Sequence, residues 1–110
     1  MSNIQVPEAV QRVVTAINSA DTGAFVAAFT PEGLVDDWGR VLRGPDGVRQ
    51  WAESDAIGAG AQMTILEAHT EGDVTELRFS WVSRVFNGES TAFVTVEGDR
   101  VASFRIPPHA

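Results

Sequence analysis

The sequence predicts an α+β fold: helices first, then a four-stranded antiparallel meander curved around an interior. Three features carry that expectation. Apolar residues recur at helical spacing in the chain before Gly58. From Ala61 onward the apolar period becomes that of strands. Turn-forming pairs separate those later runs, and Asn87-Gly88 between apolar stretches is a strong hairpin signal.

Taken in order, Pro7 suits the first turn of a helix, and Val10, Val13, Val14 and Ile17 then line one face of it. Asp21 reads as the N-cap of a short second helix with Phe25, Ala28 and Phe29 turned inward, ended by Pro31. Leu34 to Arg40 reads as a short strand. Gly44-Pro45-Asp46 opens a third helix with Val48, Trp51, Ala52 and Asp55 on one side, and Gly58 and Gly60 close it. The strand-like runs lie near 61–70, 74–86, 89–97 and 100–106, with Glu71-Gly72-Asp73, Asn87-Gly88 and Gly98-Asp99 between them.

Two-residue hairpins at these turns would fix the register. Phe79 would face Val96, Trp81 would face Val94, and Ser83 would face Ala92. On either side, Leu66 would pair with Phe79, Thr64 with Trp81, Gln62 with Ser83, Ser103 with Val94, and Arg105 with Ala92. Paired residues share a face. One face then carries Leu66, Leu77, Phe79, Val96 and Val101 at one end, and Gln62, Thr64, Trp81, Ser83, Ser103 and Arg105 at the other. The opposite face carries a charged ladder, Glu67–Arg78–Glu97–Arg100 with His69 beside Glu76, and an apolar row of Met63, Val82, Phe93 and Phe104. A slip of one residue would mix these sets.

The first face matches the apolar sides of the helices. Its polar end needs hydrogen-bonding partners if buried, which a ligand or ordered water would supply; a sheet edge open to solvent is the other reading. The apolar row on the second face reads as a homodimer surface, or as a stripe covered by sheet twist.

Composition narrows the function classes. The chain has 110 residues, enough for one domain spanning 1–110, and no cysteine, which removes disulfides and thiolate chemistry. Its net charge of −7, with eight basic residues and no basic cluster, argues against nucleic acid and anionic membranes. No apolar run reaches membrane-span length, and Met-Ser-Asn-Ile-Gln lacks the features of a signal peptide, so a cytoplasmic location is expected. No phosphate loop, dinucleotide fingerprint or Ser-His-Asp order appears. Glu67 and His69 are too sparse for a metal site, so chemistry without a cofactor or metal is expected. His109 lies in a Pro-rich tail.

The order helix, short helix, Phe29-Thr30-Pro31-Glu32-Gly33, strand, then Gly44-Pro45-Asp46-Gly47-Val48-Arg49-Gln50-Trp51 resembles the nuclear transport factor 2-like superfamily. Within it the chain looks like the SnoaL-like branch, chiefly through Leu34-Val35-Asp36-Asp37-Trp38-Gly39-Arg40 followed by Gly44 and Trp51. The resemblance implies a curved antiparallel sheet wrapped around N-terminal helices, a conical pocket, and dimerisation through the sheet. It makes the face with Trp81 and Arg105 concave. It leaves function open, because the superfamily holds isomerases, cyclases, dehydratases, epoxide hydrolases and binders.

Matching Val35-Asp36-Asp37-Trp38 to the Val-Glu-Asp-Pro of ketosteroid isomerase, a distant relative, implies that Asp37 stands at the general-base position. Apolar Trp38 and the neighbouring Asp36 suit a proton acceptor there, Arg40 opposes it, and strand alternation turns only one of Asp36 and Asp37 inward. A solvated strand start or capping pair is the plainer role for these aspartates. The isomerase oxyanion hole needs a tyrosine and a protonated aspartate; this chain has no tyrosine, and the aspartate position falls near Ala92, so steroid isomerisation by that route is not expected. Arg105 could hold an anionic oxygen, or snorkel at the rim. Trp51 and Trp81 would wall the pocket, by packing or by favouring a flat apolar ligand, and Gln62 and Ser83 would orient polar atoms.

The resulting expectation is a cofactor-independent isomerase, cyclase or dehydratase acting on an apolar oxygenated metabolite. The alternatives are a non-catalytic dimeric binding domain using the same cavity, and a dimerisation module with a filled interior.

Overall fold

The computed structural model describes residues 5–108. Helix α1 spans Glu8–Asn18, α2 Thr22–Ala27 and α3 Gly44–Asp55; strands are β1 Phe29–Asp37, β2 Arg40–Arg43, β3 Gln62–Glu71, β4 Val74–Val82, β5 Asn87–Glu97 and β6 Arg100–Ile106. They form a six-stranded, curved, unclosed sheet in the order β2-β1-β6-β5-β4-β3. The expected α+β architecture is present. His109 lies outside the described residues.

The helices follow their patterns closely. Val10, Val13, Val14 and Ile17 are all buried, and the Asp21 side chain caps α2 by accepting from the Ala24 N–H at 3.0 Å. Pro31 does not end α2. The helix stops at Ala27, and Pro31 sits within β1, where pairing to β6 is interrupted between Phe29 and Leu34. A residue without an N–H is tolerated at such a break. β1 runs parallel to β6, and the Trp38-Gly39 turn folds it back onto β2, a hairpin the sequence did not announce.

Three departures change the expected register. The β4–β5 turn is Ser83–Phe86, because Val82 pairs with Asn87. The Ser83 hydroxyl oxygen accepts from the N–H groups of Val85 at 3.2 Å and Phe86 at 3.1 Å, so this local turn displaces Asn87-Gly88 into the strand. Trp81 therefore faces Gly88, and Phe79 faces Ser90. The displacement is an even number of positions, so Leu77, Phe79, Trp81, Ala92 and Val94 still share the inner face.

The other two departures are β-bulges, and each exchanges inside for outside. The β3–β4 pairing follows the expected register from Glu71↔Val74 to Glu67↔Arg78, then shifts at Leu66 so that Ile65 meets Phe79 and Met63 meets Trp81. The β5–β6 pairing keeps Val96↔Val101, then shifts so that Val94 meets Phe104 and Phe93 meets Arg105. Met63 and Phe104 enter the core at 2% and 0% exposure, while Gln62, Thr64 and Arg105 turn out to solvent. Two extra residues bury a methionine and a phenylalanine where an unbroken ladder would bury threonine and arginine; the hydrophobic effect favours the bulged arrangement.

The expected dimer row is corrected by the same shifts. Met63 and Phe104 are core residues, and Phe93 lies under the Arg105 guanidinium, 5.1 Å from its ring centroid. Val82 alone of the four remains an exposed apolar side chain. In the charged ladder, Glu67↔Arg78, His69↔Glu76 and Glu97↔Arg100 are neighbours, but Arg78 reaches Glu89 at 2.6 Å rather than Glu97.

Candidate functional site

At one end of the inner face the core does not close. A cavity of about 290 Å³ is lined by Asp37, Trp38, Trp51, Asp55 and side chains of β4, β5 and β6. Phe79, Trp81 and Ser90 form its buried wall with Ile106. Trp38, Val85 and Phe86, 55%, 67% and 47% exposed, stand at its mouth. This size approaches the lower end of small-ligand pockets.

Each wall has a structural cause. Trp51 sits on the buried side of α3, with Trp81 at 6.0 Å, Phe104 at 5.9 Å and Phe25 at 5.8 Å between ring centroids. Such tilted and offset rings contribute packing energy beyond their area. Helix α3 is held close to β2 because Gly47 has no side chain: a Cβ there would stand 2.7 Å from the Leu42 carbonyl carbon. That approach brings Asp55, the last residue of α3, to Arg40, the first of β2.

Asp37, at the end of β1, is the focus of the polar contacts. Its Oδ2 accepts the Trp51 indole N–H at 3.1 Å and lies 3.5 Å from the Arg40 guanidinium. Its Oδ1 takes part in neither contact. The same guanidinium meets Asp55 at 2.8 Å, and the Ser54 hydroxyl also bonds Asp55. Asp36 plays a different part: its Oδ1 accepts the Gly39 N–H at 2.9 Å and so secures the turn. The two adjacent aspartates thus divide into one that braces the hairpin and one in the cavity wall.

Trp38 occupies that turn with φ +57° and Gly39 follows with φ +91°. Positive φ at both central residues is the geometry of the tight hairpin turn that matches strand twist. A bulky residue is an outlier there. The Trp38 amide donates to the Ile106 carbonyl at 2.9 Å, tying the turn to β6.

Of the residues singled out from sequence, Asp37, Trp51 and Trp81 meet at the cavity. Gln62, Ser83 and Arg105 do not. Gln62 turns outward beyond the β3 bulge and donates to the Asn18 carbonyl at 3.2 Å. Ser83 belongs to the β4–β5 turn, where its hydroxyl also donates to the Phe86 carbonyl at 3.1 Å. Arg105 stacks over Phe93 on the outer face. In their place the structure brings Ser90, 7% exposed, and Asp55 to the cavity wall. A correct turn at Ser83–Phe86 would have revealed Ser90 opposite Phe79; Asp55 was visible on the Trp51 side of α3 without a reason to single it out.

Among the described residues no group of three or more His, Asp or Glu side chains could hold a metal ion, and no helix is long and apolar enough to cross a membrane.

No family model matches the chain, and no curated protein matches its sequence. Solved structures do match its backbone. A Sinorhizobium meliloti protein with a provisional polyketide cyclase designation is 24% identical, with 92% of this chain and 94% of that one covered at a TM-score of 0.81. A nuclear transport factor 2-like protein of unknown function from Cytophaga hutchinsonii is 11% identical, covering 96% and 90% at 0.80. A hypothetical Catenulispora acidiphila protein with a ketosteroid isomerase-like fold, solved with trimethylamine, is 18% identical, covering 94% and 87% at 0.80. At these identities the likeness is one of fold, and this chain has the nuclear transport factor 2-like fold.

Proposed function

We propose that this protein is a small-molecule pocket protein of the SnoaL-like kind, acting without a cofactor as an isomerase, cyclase or dehydratase. Asp37 is the proton acceptor. The observation that supports this most is its carboxylate in the wall of a cavity of about 290 Å³, positioned through Oδ2 by the Trp51 N–H at 3.1 Å. A base held by a buried indole needs little reorganisation when a proton arrives. The substrate is a largely apolar, oxygen-bearing metabolite lying against Trp51, Trp81 and Phe79.

In this reading Asp37 takes a proton from a carbon beside a carbonyl group, and the carboxyl so formed gives it to another carbon in isomerisation, to the newly formed alkoxide in ring closure, or to the departing hydroxyl, which leaves as water, in dehydration. Ser90 contributes a hydroxyl to the wall, where a substrate oxygen can meet it. The solved likenesses to a provisional polyketide cyclase and to a ketosteroid isomerase-like fold are compatible with such chemistry.

A second reading, a non-catalytic binding domain, is favoured by one observation. Arg40 lies 3.5 Å from Asp37 and 2.8 Å from Asp55, so the would-be base already has a cationic partner. The trimethylamine complex of the Catenulispora protein is compatible with ligand holding in this fold.

Asp37→Asn tests the role given to Asp37. With a turned-over substrate in hand, the enzyme reading expects kcat to fall by about 10²–10⁴, the usual worth of a positioned base, with the folded spectrum unchanged. Turnover retained in the variant would remove Asp37 as the base.

A further inference from the structure

All three tryptophans of the chain, with Phe79 and Phe86, line the same cavity as Asp37 and Asp55. Among the described residues no lysine, arginine or histidine lines it. The cation nearest to both carboxylates is Arg40, 53% exposed, and it serves the two together at 3.5 and 2.8 Å. In ion-pair contact with these two carboxylates there is thus one guanidinium against two negative charges.

We propose that the cavity selects ligands carrying a positive charge, an apolar tertiary amine or quaternary ammonium, over neutral and anionic molecules of the same shape. This rests on the small-molecule reading above and names the ligand class for that site. Two independent features converge on it. Aromatic faces are the negative side of the ring quadrupole and attract a desolvated cation. The acidic side chains lie in the same wall, where partial burial strengthens their attraction relative to water. An anionic ligand would meet both carboxylates without a lining cation to offset them. The chain's net charge of −7 further raises the local concentration of cations over anions.

Because all three tryptophans line the cavity, their fluorescence reports on it without contribution from elsewhere. Benzyltrimethylammonium, its neutral carbon isostere neopentylbenzene, and phenylacetate are titrated against the intact protein, with calorimetry as the second readout. The cation is expected to bind about 10-fold or more tightly than the isostere, and phenylacetate most weakly. Asp55→Asn should weaken the cation several-fold and leave the isostere unchanged. Arg40→Gln should tighten the cation by freeing the carboxylates.

Equal or tighter binding of the isostere or of phenylacetate overturns the inference while the small-molecule reading stands. So does an Asp55→Asn protein, folded by circular dichroism, that binds the cation as before. If none of the three probes perturbs the tryptophans, the inference and the small-molecule reading fall together.

Discussion

Trp38 combines a backbone position that suits glycine or asparagine with a side chain at the cavity mouth. Holding a bulky residue at φ +57° costs on the order of 1–3 kcal/mol. The side chain itself is half exposed. Trp38→Asn creates an Asn-Gly pair, the preferred sequence for this turn. It should raise stability by about 0.5–1 kcal/mol in urea unfolding and weaken cavity ligands. A loss of stability would show that the indole contributes more to the fold than the turn costs. Asp37 was singled out through the resemblance to ketosteroid isomerase; strand alternation says that one of two adjacent aspartates turns inward, without saying which. Trp51 and Trp81 were legible because helical and strand spacing put both on apolar faces. Ser90 was not: it becomes a cavity residue only when the turn is Ser83–Phe86, and that turn, held by the Ser83 hydroxyl and by the Ser83 N–H donating to the Phe86 carbonyl and the Asn87 side chain, competes with a stronger Asn-Gly signal.

At the scale of elements, the helices were legible nearly to their ends, since proline and aspartate mark their starts and buried valines mark their faces. The four later strands, β3 to β6, were legible too, whereas the single strand expected from Leu34 to Arg40 is β1 from Phe29 to Asp37 and β2 from Arg40 to Arg43. The register was legible only between a turn and the next bulge. Glu67↔Arg78 and Val96↔Val101 follow from counting outward from Gly72-Asp73 and Gly98-Asp99; one extra residue in β3 and one in β6 then invert everything beyond. No local residue type marks Leu66 or Ala102 as the extra one. The marker is global: only the bulged register puts Met63 and Phe104 inside. Opposite effects are therefore expected at two neighbouring positions. Phe104→Ala should cost about 3–5 kcal/mol, and Arg105→Ala should stay within about 0.5 kcal/mol. Equilibrium denaturation measures both, and the reverse order would restore the unbulged ladder. The β1–β2 hairpin was missed for a related reason, because tryptophan at its first central position gives no turn signal.

For the molecule as a whole, the bulges explain why so small a chain can keep a cavity. They draw Met63 and Phe104 into the core, and Phe104 packs directly on Trp51 at 5.9 Å, so the aromatic cluster is complete without filling the space in front of Asp37. The fold as a class was legible in the sequence. The chemistry of the cavity was legible only in part, because Asp55 and Ser90 reach it through tertiary approach, α3 on β2 and β5 on β4. The proposed function requires small molecules to bind against Trp51 and Asp37. A proton–nitrogen correlation spectrum of the protein, recorded across a library of small apolar fragments, tests it most directly. Binding fragments should shift the Trp51 indole N–H and the Ser90 amide, and both shifts should vanish in Ser90→Phe, which fills the cavity. Fragments that leave the Trp51 indole unmoved, or that bind the filled variant equally well, would contradict it.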